Sequence, residues 1–188
     1  MSLEEARRKI DHIDPQIRGL LMNRYDAAEE VVQAKLAAGE TTIYRPGREE
    51  DILRRLGEGI PESRRTEYLS VVRKIMQSSR MYQYGLMYDA LEDPFGPIAP
   101  EEPIAPDGTR VRLRLTRPNH PNSMTEILAM IGDYGYDMDQ MTLVAGGGDE
   151  AEVTFELLIV GNLMEIRMKK LMFQISKEST DFQILETY

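Results

Sequence analysis

Apolar side chains recur at intervals of three and four through residues 3–38, at Ile10, Ile13, Ile17, Leu20, Ala27, Val31 and Ala34. That is the period of one face of an α-helix, and the pattern predicts one long helix. Pro15 falls inside it. A proline there removes a hydrogen bond, so the expectation is a continuous but strained helix, with Asp14 as a plausible cap if it restarts. Gly39 supplies the stop, Pro46 stands where a first helical turn tolerates it, and GREEDILRRLGEG (47–59) predicts a short second helix ending at Gly57 or Gly59. A third helix is expected from about Glu62 to Ala90, with Leu69, Val72, Met76 and Leu86 on one stripe. Residues 1–90 therefore read as an all-α, three-helix domain.

The period changes after residue 108. RVRLRLT (110–116), YDMDQMTLV (136–144), EVTFELLIV (152–160) and DFQILET (181–187) alternate or run apolar as strands do. SMTEILAMIGDYG (123–135) and NLMEIRMKKLMFQI (162–175) keep helical spacing. The order strand, helix, strand, strand, helix, strand predicts an α+β, ferredoxin-like domain over 109–188. Gly146, Gly147 and Gly148 lie between two strands, which predicts a hairpin turn; a phosphate cradle would need a helix to follow. Between the halves, Pro94, Pro97, Pro100, Pro103 and Pro106 recur every third residue, the turn of polyproline II. The segment 91–108 reads as a stiff linker that either holds two domains apart or wraps one on the other.

Composition narrows the chemistry. The 188 residues contain no cysteine and two histidines, His12 and His120, which excludes disulfides and thiolate chemistry and argues against a metal centre or a Ser-His relay. No metal or cofactor is expected. No run approaches a membrane span, and the charged MSLEEARRKI start is no secretory signal; the expected compartment is the cytoplasm. Net charge is −9, with acids and bases balanced up to residue 90 and the excess acid beyond it. A nucleic-acid binder would show a basic module, so any bound anion must be held by a few placed cations.

Such cations stand on the apolar seams. The spacing of the first helix calls for an apolar residue at 24, and Arg24 is there. Lys35 lies eleven residues on, about 20° away in direction and about 16 Å along the axis, so the two face one way and could hold a small dianion between them. Arg7 is about 25 Å from Arg24 and about 100° away, so it reaches that site only from a second copy of the chain. On the third helix the stripe should continue through 79 and 83, which are Ser79 and Gln83, neighbours at i, i+4. Arg48 and Glu49 follow Pro46 on the short helix. Taken singly, each has a structural reading as a snorkelling or paired cation, a solvated first-turn charge or a polar core pair.

Taken together, ARRKIDHIDPQIRGLLMNR (6–24), VVQAKLAAG (31–39), IYRPGREEDILRRL (43–56) and the Ser79, Gln83 pair resemble the all-helical chorismate mutases over about residues 4–86. The resemblance implies an intertwined homodimer with paired first helices, chorismate as substrate and prephenate as product. It also implies the roles. Arg24 and the partner's Arg7 hold carboxylates, Lys35 and Gln83 donate to the ether oxygen, Glu49 takes the ring hydroxyl, Ser79 helps a carboxylate and Arg48 positions the group. Arg45 departs from the pattern, because an acidic residue is common at that place in the family.

The second domain resembles ACT regulatory modules through its element order and NHPNSMTEILAMIGDYGYDM (119–138). That likeness implies an amino-acid effector, phenylalanine or tyrosine, near Asn122, Ser123 and Met124, with dimerisation alone as the alternative role. The glycine common in that loop is replaced around Asn122 and Ser123. Two other readings use the same features: isochorismate pyruvate lyase on the same scaffold, and a non-catalytic dimerising amino-acid sensor.

Overall fold

The computed structural model describes residues 2–120, 123–148 and 150–188. The chain divides into two compact units, residues 1–41 and 42–188.

The first unit is essentially one helix, α1 (Leu3–Ala37). A capping box starts it: the Glu5 N–H donates to Ser2 Oγ at 3.2 Å, and the Ser2 N–H donates to Glu5 Oε2 at 2.6 Å. The helix runs unbroken through Pro15, without the restart that Asp14 could have capped. The expected apolar seam differs from what is buried. Ala28 and Val32 are buried, while Ile10, Ile13, Ile17 and Leu20 are 56%, 49%, 48% and 70% exposed and Val31 is 46% exposed.

The second unit contains α2 (Pro46–Gly57), α3 (Glu62–Ala90) and a four-stranded antiparallel sheet with two helices. The sheet elements run β1 (Arg110–Pro118), α4 (Ser123–Asp133), β2 (Asp137–Gly146), β3 (Glu152–Val160), α5 (Ile166–Lys177) and β4 (Asp181–Thr187). Strand order is β2-β3-β1-β4. This is the ferredoxin-like arrangement expected from the sequence, with boundaries moved by a few residues at most. Alternation along β1 puts Val111, Leu113 and Leu115 fully inside, where they meet Ile127, Met130 and Ile131 of α4 and Leu171, Met172 and Ile175 of α5. The β2–β3 hairpin depends on Gly146, whose φ is +79° and where a Cβ would lie 2.2 Å from the Glu152 carbonyl oxygen.

Residues 91–108 lie on the sheet module and form a 3-10 turn at Gly96–Ile98 instead of a continuous polyproline spacer. Phe95, Ile98 and Ile104 pack against its core. The Ala105 N–H donates to Thr187 Oγ1 at 2.8 Å, and Asn162 Nδ2 donates to the Pro106 carbonyl at 2.7 Å. The same unit docks α3 on the module helices, a contact that hydropathy alone left unread. Tyr84 and Tyr88 meet Phe173 edge-on at 6.1 and 5.5 Å between ring centroids. Lys74 pairs with Asp133, and Lys170 with Asp89, both at 2.6 Å. Among the described residues, no helix is long and apolar enough to cross a membrane.

Candidate functional site

On α1, Arg7 and Arg24 are exposed. Lys35 is partly buried and pairs with Glu40 at 2.8 Å, across the turn that ends the helix. Lys35 sits in the last turn, where a cation is favoured by the helix dipole.

On α2, Arg48 and Glu49 occupy the first turn, and their N–H groups donate to the Arg45 carbonyl at 3.1 and 3.2 Å. Arg48 points to solvent, whereas the Glu49 side chain is 23% exposed. Arg45 is the N-cap and supplies no side-chain acceptor to the helix. On α3, Ser79 is buried and Gln83 half-buried. Gln83 Nε2 donates to Ser79 Oγ at 3.2 Å and to its carbonyl at 3.1 Å. The two polar groups that break the apolar stripe are therefore brought together and share a donor.

The partner of Glu49 is a residue that the sequence reading did not single out. Arg80, one position and thus about 100° around the helix from Ser79, is 4% exposed. Its Nη1 donates to both Glu49 oxygens at 2.5 Å, and its Nε donates to Glu178 Oε1 at 3.1 Å, just beyond α5. Its guanidinium carbon lies 4.6 Å from the Tyr44 ring centre. Gln174 Nε2 also donates to Glu178 Oε1, at 2.9 Å, and Gln174 Oε1 accepts from the Tyr134 hydroxyl at 3.0 Å. Glu178 Oε2 is buried and, among the described residues, has no hydrogen-bond partner. Burial accordingly pushes the Glu178 carboxyl up from its usual range, against the opposing pull of Arg80. Facing two acids, Arg80 is pushed further up, despite its own burial. Burial, reinforced by Glu126, raises the Tyr44 hydroxyl to about 12, so it stays a neutral donor at ordinary pH.

Glu49 and Arg80 form part of the wall of a cleft of about 420 Å³ that also includes Tyr44, Leu53, Gln77 and Glu126. Behind it stands a second buried cation, Arg117 of β1, 1% exposed. Its Nη1 donates to the Ser123 carbonyl at 2.7 Å and its Nη2 to Glu126 Oε2 at 3.1 Å. Of the three residues expected near an effector, Ser123 is buried at the start of α4 and Met124 packs against the module core. Asn122 lies outside the described residues. Among the described residues, no cluster of His, Asp or Glu could hold a metal ion.

Residues 6–84 match the family model described as chorismate mutase type II, so the helical part of the chain carries that family's pattern. No curated protein matches the chain. Among solved structures, the chain is similar to GqqA, described as a novel type of quorum-quenching acylase. Identity is 20%, the TM-score is 0.40, and 46% of this chain and 31% of that one are covered. It is also similar to a prephenate dehydratase from Arthrobacter aurescens in complex with L-Phe. There identity is 16%, the TM-score is 0.41, and 48% of this chain and 30% of that one are covered. The chain thus spans under a third of the length of either structure.

Proposed function

We propose that the chain is a chorismate mutase that assembles as a homodimer, with an ACT-like module attached for regulation by phenylalanine or tyrosine. The observation that carries this reading is the chorismate mutase type II match over residues 6–84, a span containing all seven proposed site residues from Arg7 to Gln83. The apolar stripe exposed along α1 supports the homodimer, since pairing two first helices would cover it and bring in Arg7 of the second copy.

The reaction is a pericyclic rearrangement with no covalent intermediate and no proton to move. Rate comes from binding the compressed transition state better than the extended substrate. Arg24 and the second copy's Arg7 hold the two carboxylates, helped by Ser79, and Arg48 positions the group. Negative charge grows on the ether oxygen as its C–O bond breaks. Lys35, exchanging Glu40 for this oxygen, and Gln83, with an N–H to give, stabilise it. Glu49 accepts the ring hydroxyl.

The test is to add chorismate to the purified chain and follow its absorbance, with isochorismate assayed in parallel. Conversion of chorismate to prephenate is expected. Pyruvate released from isochorismate, with chorismate untouched, would replace the mutase reading by the lyase. Turnover of neither would leave the dimerising sensor. Repeating the assay with phenylalanine or tyrosine reads the regulation, and a specific effector must also raise the melting temperature.

A further inference from the structure

Glu49 is the one proposed substrate-binding acid, and its carboxylate is gripped by a residue outside the proposed substrate set. We infer that Arg80 is a positioning residue for Glu49 and that the C-terminal module anchors Arg80 through Glu178. A side chain of the module then helps to set the carboxylate that receives the substrate's ring hydroxyl. The inference rests on the mutase reading and deepens it.

The contacts run without a gap. Glu49 on α2 is held through both oxygens by Arg80 Nη1, and Arg80 Nε is held by Glu178. Glu178 is fixed by Gln174, and Gln174 by the Tyr134 hydroxyl. The Arg80 and Glu178 side chains are 5% and 0% exposed, so this is no solvated surface pair whose geometry wanders. Only a guanidinium can present Nε to one carboxylate and Nη1 to another in a single rigid plane, and Tyr44 packs over the face of that plane. An ionised carboxylate offers about four acceptor positions. Glu49 can therefore stay bound to Arg80 and still take a hydroxyl, with its direction fixed beforehand. Fixing it beforehand is how a distant residue contributes to rate.

The test is a double-mutant cycle on the full chain. Arg80→Met combined with Glu178→Gln replaces the pair by neutral groups of similar length and leaves no lone buried charge. We expect kcat/KM for chorismate to fall about tenfold or more while the melting temperature stays within a few degrees. The same two changes in a Glu49→Ala background should cost less than about threefold, because nothing remains to be positioned. Equal losses in both backgrounds would make Arg80 merely structural, and an unchanged kcat/KM in the first would remove it from function; either overturns the inference. Should the double variant unfold, Arg80→Lys keeps the charge, loses the fork and carries the same expectation. A wild-type chain that does not turn over chorismate would overturn the mutase reading and this inference together. An active wild type with indifferent variants overturns this inference alone.

Discussion

Replacing Arg80 alone by methionine strands the Glu178 carboxyl in the core. Its side chain is fully buried, and after the change only Gln174, among the described residues, still donates to it. Glu49, at 23% exposed, can turn to water, so the cost falls on Glu178. A stranded carboxyl does not stay charged at any price; it takes a proton. With an ordinary value of 4.5, holding that proton at pH 7 costs at most about 3 kcal/mol, since each pH unit is worth about 1.4 kcal/mol. The sign follows from the raised carboxyl. A group whose folded pKa lies above its unfolded one contributes its full stability below the unfolded value and loses it as pH rises through the folded one. Burial already raises Glu178 in the wild type, so the extra loss in the variant stays below that ceiling at pH 7 and shrinks as the pH is lowered toward 5. Urea unfolding at both pH values measures it, with m unchanged as the check on two-state behaviour. The same destabilisation at pH 5 and pH 7 would refute the reasoning, because the loss would then be packing and not a buried ion.

Two further expectations concern the helices. Gln83 donates its N–H at any ordinary pH, so mutase turnover should be nearly flat from about pH 5 to 8, whereas Gln83→Glu, which must be protonated to donate, should lose activity as pH rises; a wild-type rate falling sharply toward the alkaline end contradicts Gln83 as the donor. Arg45→Asp places an acceptor and a negative charge at the uncapped start of α2 and should raise stability by about 0.5–1 kcal/mol in a thermal melt; an unchanged or lower melting temperature counts against the capping argument.

The elements were legible because their periods are. Three- and four-residue spacing marked α1, α2 and α3, and strict alternation marked β1. The anomalies at Ser79 and Gln83 were legible for the same reason, since a polar pair on an apolar stripe has to go somewhere, and here the two meet. Two buried charges broke the pattern as plainly and could have been found. Arg117 stands at the next inward place after Val111, Leu113 and Leu115, and Glu178 continues the buried spacing of Met168, Leu171 and Ile175. Arg80 carried a weaker form of the same signal. It follows Met76 and precedes Tyr84 by four residues each, on the buried face of its helix, but what pairs it is Glu178 on a module almost a hundred residues away, which no local period encodes. The apolar stripe of α1 failed in the opposite direction: the pattern marked it for burial, and in a single chain it stays exposed.

The most direct measurement compares chorismate turnover by the wild-type chain with that of Lys35→Ala and Gln83→Ala, each purified and shown to be folded. Conversion to prephenate by the wild type is expected, with a loss of about a hundredfold or more in either variant, the scale of removing one preorganised donor. A wild type that leaves chorismate unchanged, or a variant that keeps near-normal turnover, would contradict that expectation.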